Sequence, residues 1–185
     1  MKLYATYLSS AEKAAEHVAA HALLALAVQE QYQMPLPEIQ TGAHGKPFFP
    51  AYPELRFNLS HCRGLAVCGL DSHPLGIDAE PIRALRPGVL RRAFSPEERA
   101  LVETAAHPDE AFFRLWTKKE SLVKALGIGI SYPLHTVCFP DLRPESGCGI
   151  APWHFFQYVL QDRWILSCCG QEPDNFPDTI LFRTI

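Results

Sequence analysis

The chain has 185 residues and a mass of 20.7 kDa, with 48% apolar and 20% charged residues, an ordinary composition for a globular protein. A formal net charge of −3 argues against a globally basic protein that binds nucleic acid. No apolar run approaches the roughly 18 residues of a membrane span, and the N-terminus is typical of a first strand rather than a signal peptide, so we expect a cytoplasmic protein.

The first half of the chain predicts one long helix among short strands. Residues 2–8 alternate in polarity as a strand does, and the Ala-rich segment after them predicts a helix over residues 10–33, ended by Pro35 and Pro37. Short apolar runs then predict three strands, with the sequences RFNLSH (56–61), GLAVCGL (64–70) and LGIDAE (75–80).

The second half opens with an Arg- and Pro-rich connector over residues 81–95. The run Ser95-Pro96-Glu97-Glu98 supplies an N-cap, a proline at the first helical position and a capping-box glutamate, so a helix should run to about Ala105. A second helix is predicted from about Asp109 to Leu126, ended by Gly127. The remaining strands are predicted at 135–139, 153–160, 163–169 and 179–184.

The two halves resemble each other in element order, since each has a long helix and ends in a pair of apolar strands. This indicates an α+β fold of two similar halves, residues 1–80 and 81–185, in one compact unit with a site where they meet. The six cysteines form no Cys-x-x-Cys pair, which predicts reduced and mostly buried thiols.

A lysine interrupts the apolar stripe of the second long helix. At about 100° per residue, Lys119 lies among the apolar positions, whereas Lys118 points away from them. Glu120 and Lys124 follow one flank of the stripe. Either Lys119 extends its ammonium into water, or an anion such as a phosphate is its partner, because a charge desolvated alone is costly.

Two carboxylates share one face of a predicted strand. Asp78 and Glu80 stand two residues apart in GIDAE, so they point the same way. Alone, this spacing is equally typical of a solvated strand end. Together with Glu120, it offers three hard oxygen ligands of the kind that Mg²⁺ or Mn²⁺ prefers. His61 is equally compatible with a structural histidine, and Lys46 lies in a turn that leaves it free to reach a ligand.

In order and spacing, four segments resemble the 4′-phosphopantetheinyl transferases of the long, pseudo-two-fold, single-chain kind. They are GKP (45–47), FNLSH (57–61), GIDAE (76–80) and LWTKKESLVKALGIGIS (115–131). The most specific is Trp-x-x-Lys-Glu-Ser-x-x-Lys at 116–124. The resemblance implies a pseudo-two-fold fold and a reaction in which the serine of an apo acyl or peptidyl carrier protein takes the phosphopantetheine arm of coenzyme A. Adenosine 3′,5′-bisphosphate is then released.

The resemblance also implies roles for individual residues. Asp78, Glu80 and Glu120 resemble the metal ligands, with Glu120 also a candidate base for the serine. Lys119 and Lys124 would hold phosphate oxygens, and Lys124 lies nearer the reacting centre. The nucleotide end of coenzyme A would meet a further set of residues: Lys46, Ser60 and His61, with His61 on the 3′-phosphate.

The chain departs from these relatives in its first helix. Many of them carry Arg or Lys there to grip the 3′-phosphate, whereas this helix offers Lys13, with His17 and His21 nearer its middle. Neutral histidine attracts an anion less than arginine does, so weaker or shifted binding of coenzyme A is expected. Cys62 also replaces the serine common after the histidine.

Carrier proteins are acidic, and the connector is a basic patch that would steer one. Its arginines are Arg83, Arg86, Arg91, Arg92 and Arg99. An apolar groove between the halves would receive the carrier's helix, and the chain is expected to act as a monomer. Two alternatives stay open: a metal-dependent phosphodiesterase or nuclease built on the same acids, and a non-catalytic relative that binds carrier proteins.

Overall fold

One long helix packs among the strands of the first half. The computed structural model describes residues 1–9, 12–129 and 132–185. Its first elements are β1 (Lys2–Tyr7), α1 (Lys13–Tyr32), β2 (Gln40–Thr41), β3 (Pro47–Phe48), β4 (Arg56–Cys62) and β5 (Leu65–Asp71). The predicted strands are confirmed, and so is the helix from Lys13 on, while its first two predicted residues, 10 and 11, lie outside the described residues.

The second half carries the other long helix. Its elements are β6 (Leu75–Pro81), α2 (Pro87–Ala93), α3 (Pro96–Thr104), α4 (Pro108–Leu126), β7 (His154–Leu160), β8 (Trp164–Gly170) and β9 (Leu181–Phe182). Ser95 and Glu98 form the predicted capping box at the start of α3. Gly127 ends α4 in the left-handed conformation, with φ of 69°.

Three sequence-based expectations in this half are wrong. The connector contains helix α2, which starts at Pro87 and has no side-chain cap to signal it. Residues 135–139 form no strand, and a 3₁₀ turn occupies Leu134–Thr136. Val137 and Phe139 are buried as a strand pattern requires, but a lysine rather than a neighbouring strand bonds the carbonyl group of Val137. The last strand is also shorter than residues 179–184.

Two main sheets face each other. In the first sheet the strand order is β4-β5-β1-β9, with β9 parallel to β1 and the other pairs antiparallel. In the second sheet β8 lies between β6 and β7, and both pairs are antiparallel. The mixed α+β architecture expected from the sequence is thereby confirmed.

The buried apolar residues form three main clusters, which lie as layers between the helices and the sheets. Leu3, Val67 and the neighbouring side chains of the first sheet meet Ile77 and Leu166 of the second, which makes a central core. On the outer face of the first sheet, α1 covers a second cluster, and α4 covers a third on the outer face of the second sheet. Each sheet is therefore buried on both faces, and a long helix closes each side.

The cysteines follow their prediction, since all six are free and four of them, Cys62, Cys68, Cys168 and Cys169, are buried. Across the described ranges of the chain, none of the helices has the length and apolar character needed to cross a membrane.

Candidate active site

The acidic strand β6 lies directly beneath helix α4. Gly76, Asp78 and Glu80 alternate toward the helix, whereas Ile77 and Ala79 enter the central core. A Cβ atom on Gly76 would lie 2.0 Å from the carbonyl oxygen of Ser121, so only glycine permits this crossing. The close approach also brings Glu120, which is next to Ser121, near the acids of β6.

Side chains of β4 join the two sheets at this point. The amide oxygen of Asn58 accepts a hydrogen bond of 2.8 Å from the N–H of Ile77. The Ser60 hydroxyl accepts one of 3.0 Å from the N–H of Ala79. These two N–H groups lie on the edge of β6 that faces away from β8, and buried N–H groups need partners. Asn58 and Ser60 thus act in place of a backbone ladder between the halves.

Asp78, Ser60 and Lys124 form a bonded group next to this junction. The Lys124 ammonium donates to Asp78 Oδ1 at 2.7 Å and to the Ser60 hydroxyl at 3.1 Å. The Ser60 hydroxyl lies 3.4 Å from the same Asp78 oxygen. The other oxygen, Asp78 Oδ2, is buried and has no hydrogen-bond partner among the described residues. A buried carboxylate oxygen left in this state favours a further cation.

The other two predicted acids lie close enough to interact with Asp78. The pKa of Glu120 is raised to about 7, chiefly by burial and then by the charge of Asp78, with Lys124 acting in the opposite direction and Glu80 adding a smaller increase. Burial and then the charge of Asp78 also raise the pKa of Glu80, against the effect of Arg83, which bonds Glu80 at 2.9 Å. Three mutually repelling, desolvated carboxylates are the donor set of a hard divalent cation.

The three acids are not arranged as finished ligands. Within the described ranges, no group of three or more His, Cys, Asp or Glu residues is placed to hold a metal ion. The contacts show why, because the Lys124 ammonium occupies Asp78 Oδ1 and Glu80 is turned toward Arg83. The donor chemistry and the unpartnered Asp78 Oδ2 therefore fit a divalent ion. For all three acids to coordinate that ion, the side chains of Lys124 and Arg83 would have to move.

A cleft of about 290 Å³ opens beside Glu120 and Lys124. Its other walls include His44, Lys46 and Leu59. Lys46 is not free, contrary to the sequence-based expectation: its ammonium donates to the carbonyl oxygens of Leu75 and Ala125, at 3.1 and 2.7 Å. Burial lowers the pKa of Lys46 to about 8. The side chain braces the cleft wall against β6 and α4.

His61 lies on the opposite face of β4 from Ser60, against α1. Its Nδ1 atom is buried, 3.6 Å from the carboxylate of the buried Glu16, and has no hydrogen bond among the described residues. The ring of His17 lies 5.9 Å from that of His61 and 4.6 Å from that of His21. Burial, and then the neighbouring histidines, lower the pKa of His21. The expected site residue therefore belongs to a cluster of three imidazoles.

Lys119 does not join the acids. Its side chain is fully buried, and its ammonium lies 2.8 Å from the carboxylate of Glu98. The ammonium also donates to the carbonyl oxygens of Leu134 and Val137 and lies over the ring of Phe94. The sequence left open an ammonium in water or a ligand anion such as phosphate, whereas the partner in the structure is a glutamate of α3.

Lys118 was expected to point away from the apolar stripe, and the structure shows that it is nevertheless buried. The residue is 0% exposed, and its ammonium donates to the carbonyl oxygens of Arg143 and Ser146. Burial lowers the pKa of Lys118 to about 8. The apolar stripe indicated a single buried face of α4. The helix is in fact covered on more than one side, by β6 and β8 and by the segment that follows it.

Three residues of this region had no role in the sequence-based site: Asn58, Glu16 and Glu98. The alternation of β4 places Asn58 on the same side as Ser60, so a period of two predicts their shared face but not the bond of Asn58 to β6. Glu98 was recognised only as a capping residue, and nothing local indicates that it also bonds Lys119. Glu16 precedes His17 on α1, and its contact with His61 depends on how the helix crosses the sheet.

Comparison with known proteins agrees with this geometry. The family model of the 4′-phosphopantetheinyl transferase superfamily matches residues 74–169, which include β6 and α4. A 4′-phosphopantetheinyl transferase of Bacillus subtilis is 36% identical over 149 residues, covering 76% of this chain and 66% of that protein.

Two further relatives carry the same kind of name. The 4′-phosphopantetheinyl transferase Sfp of Bacillus subtilis strain 168 is 30% identical over 163 residues, covering 83% of this chain and 72% of that protein. The 4′-phosphopantetheinyl transferase AcpT of Escherichia coli strain K12 is 42% identical over 99 residues, half of each chain. The chain therefore belongs to the 4′-phosphopantetheinyl transferase superfamily, and the family predicted from its sequence is confirmed. The matched regions span about two thirds of the length of the first two relatives.

Proposed function

We propose that this chain transfers the 4′-phosphopantetheine arm of coenzyme A to a serine of an apo acyl or peptidyl carrier protein, releasing adenosine 3′,5′-bisphosphate. It would act as a holo-acyl-carrier-protein synthase or as the related type that the Sfp-like relatives represent. The observation that carries the proposal is the convergence of Asp78, Glu80 and Glu120 beside a cleft, with Asp78 Oδ2 buried and unbonded among the described residues.

Asp78, Glu80 and Glu120 would hold Mg²⁺ or Mn²⁺. The support is the hard oxygen donor set and the pKa values of Glu80 and Glu120, both raised by burial and by the charge of Asp78. When bound, such an ion supplies positive charge that neutralises a diphosphate. Arg83 would release Glu80, and Lys124 would release Asp78, so both cations become free to meet phosphate oxygens.

Lys124 is the residue best placed to orient the phosphate that reacts. Its ammonium already lies between Ser60 and Asp78 at the mouth of the cleft. Glu120 lies on the same wall, and its raised pKa of about 7 suits an acid–base group that accepts the proton of the serine hydroxyl. Metal binding lowers the proton affinity of a carboxylate, so Glu120 is a ligand first and a base second.

Coenzyme A would occupy the cleft beside α4. Lys46 would shape its wall and add positive charge, although its ammonium is committed to two carbonyl oxygens. Ser60 would contact the nucleotide, and His61 would face the 3′-phosphate. Lys119 was predicted to hold a phosphate, but because its ammonium pairs with the buried Glu98 we propose instead that it holds α3 and α4 together.

The pseudo-two-fold organisation is also a proposal. In the first sheet β5 lies between β4 and β1, and in the second β8 lies between β7 and β6. In each sheet the long helix comes after the first strand in the chain: α1 follows β1, and α4 comes after β6. The pairing of β6 with β8 supports a division ahead of β6 rather than at residue 80. Because both walls of the cleft come from one chain, we propose a monomer.

The test is an assay of transfer with coenzyme A, Mg²⁺ and a panel of apo acyl and peptidyl carrier proteins, read as the gain of the arm's mass on the carrier. Wild type should modify at least one carrier, and Asp78→Asn should lose at least about a hundredfold in rate while its circular dichroism is unchanged. Asp174→Asn is the matched control, since Asp174 is exposed and has no bonded side-chain partner within the described ranges.

Three results would contradict the proposal. Wild type that binds a carrier without modifying it would be a non-catalytic relative. Cleavage of nucleic acid or of another phosphodiester, with coenzyme A left intact, would indicate a phosphodiesterase. Full transfer by Asp78→Asn would show that the reaction does not need the Asp78 carboxylate as a metal ligand.

A further inference from the structure

A second cleft, of about 620 Å³, opens where β6 leaves its sheet, immediately after Glu80. It has four rims that come from distant parts of the chain: the end of β1, the turn between β4 and β5, the end of β6, and the turn between β7 and β8. Tyr7, Arg63, Ile82 and Arg163 represent these rims in that order. Nothing in the proposed chemistry of coenzyme A uses this cleft.

The rims are tied together, so the cleft is already formed in the free protein. The N–H of Ile82 donates to the carbonyl oxygen of Arg163 at 2.7 Å. The indole N–H of Trp164 donates to the carbonyl oxygen of Arg63 at 3.0 Å, and the N–H of Leu8 reaches the turn at Gly64 at 2.9 Å. A preformed surface binds a partner without first having to order its own loops.

Two arginines of the cleft have no acidic partner. Arg63 and Arg163 are exposed, and within the described chain neither forms an ion pair, although Arg83, Arg114 and Arg183 each bond a glutamate. The guanidinium of Arg163 lies 4.7 Å from the centroid of the Trp164 ring. Asp162 also lines the cleft but forms no ion pair with either arginine among the described residues, so the two guanidinium groups outnumber the one carboxylate. A fixed surface with an excess of positive charge attracts an anionic partner.

An aromatic surface lies beside these charges. The ring of Tyr7 lies 5.5 Å from that of Trp164 and 4.9 Å from that of Phe182. Tyr7 and Phe182 are each 40% exposed, which is high for large apolar side chains. Aromatic residues flanked by arginine are the side chains most enriched where proteins bind other proteins.

We propose that this cleft docks an acidic face of the apo carrier protein. The inference rests on the proposed function and adds the surface that would recognise the partner. The reacting serine must reach Glu80 and its neighbouring acids, so the protein that carries it must lie against the end of β6. Pro81 and Ile82 line the cleft there, one and two residues beyond Glu80. Arg83 is already bonded to Glu80, which leaves Arg63 and Arg163 as unpaired charges beside this end of the strand.

The test reverses the two charges, in Arg63→Glu/Arg163→Glu, and measures steady-state transfer to the apo carrier that wild type modifies fastest. We expect KM for the carrier to rise about tenfold, while kcat and KM for coenzyme A stay unchanged, because rim charges act on encounter rather than on chemistry. The dependence of KM on salt should also weaken. Lys2→Glu, which reverses an exposed charge at the opposite end of β1, should leave KM for the carrier unchanged.

Several results would overturn the docking surface. An unchanged KM for the carrier in a variant that melts at the wild-type temperature would do so. A parallel rise in KM for coenzyme A would also contradict it, since the cleft would then belong to the nucleotide. Should the double reversal lower the melting temperature, Arg63→Gln/Arg163→Gln is measured instead, with a smaller rise in KM for the carrier expected. Absence of transfer by wild type itself would refute the proposed function, a result distinct from all of these.

Discussion

Lys119 is an unusual charge because it is fully buried and has a single acidic partner, Glu98. We expect Lys119→Met to lower the free energy of unfolding by about 3–5 kcal/mol, since it leaves the Glu98 carboxylate buried without its cation. Urea denaturation followed by circular dichroism measures this change. Adding Glu98→Gln should restore part of the loss, because the neutral amide no longer needs an ammonium beside it.

The matched control for this prediction is Lys2→Met, which removes an exposed lysine and should change stability by less than about 0.5 kcal/mol. A Lys119→Met protein as stable as wild type but unable to transfer the arm would return Lys119 to the phosphate-binding role expected from the sequence.

The residue scale also shows what the sequence could and could not predict. Asp78, Glu80 and Glu120 were chosen because a period of two and a helical turn place charges on shared faces, and the pKa values show that these acids do interact. The partner of Lys119 lies 21 positions earlier in the chain, on another helix. Local periodicity measures only which face a residue occupies, so it cannot identify a partner supplied by tertiary packing.

Gly76 determines how closely α4 and β6 pack. Adding a methyl group, in Gly76→Ala, would place a Cβ atom 2.0 Å from the carbonyl oxygen of Ser121 and 2.4 Å from the amide nitrogen of Ala125. Both atoms belong to the helix backbone, so the helix itself must move. We expect a loss of about 3 kcal/mol or more in the free energy of unfolding, and loss of transfer, because Glu120 would separate from Asp78.

Gly88→Ala provides the comparison for Gly76→Ala. Gly88 lies in helix α2, and a Cβ atom there would meet nothing within 4 Å. Alanine favours helix over glycine by up to about 1 kcal/mol, so this variant should be as stable as wild type or more stable. Equal stability of the two variants would show that the crossing of α4 over β6 adapts, and that the site does not depend on it.

Elements with local signals were predicted well, and elements without them were not. Helix α3 has a capping box, and α4 has both an apolar stripe and a terminal glycine, which are properties of a few neighbouring residues. Helix α2 has only a proline at its first position within an arginine-rich segment. The segment around Val137 alternates like a strand, but its carbonyl groups accept hydrogen bonds from the Lys119 ammonium of α4 and from N–H groups of its own turn.

At the scale of the whole molecule, the halves are joined by side chains rather than by a continuous sheet. Asn58 and Ser60 satisfy the outer N–H groups of β6, so the two sheets remain separate, and the acids lie beside this junction on the side of β6 that faces α4. The element order of the sequence predicted two similar halves but not this junction, because FNLSH indicates a strand and gives no sign of its neighbour. The geometry of the site therefore depends on the hydrogen bond between Ile77 and Asn58, although neither residue supplies a catalytic group.

Removing the hydrogen bond between Ile77 and Asn58 should increase the local opening of β6 more than that of the other strands. Asn58→Ala leaves the N–H of Ile77 buried and unbonded, which costs about 1–3 kcal/mol. We expect hydrogen exchange, measured by mass spectrometry, to accelerate most in peptides that contain β6, while peptides of β1 and β5 keep their protection. Gln40→Ala, which removes an exposed amide that donates to Glu38, should leave exchange in β6 unchanged. If Asn58→Ala accelerated exchange equally in every strand, the junction would be part of one cooperative core, and the acids would owe their positions to the central core instead.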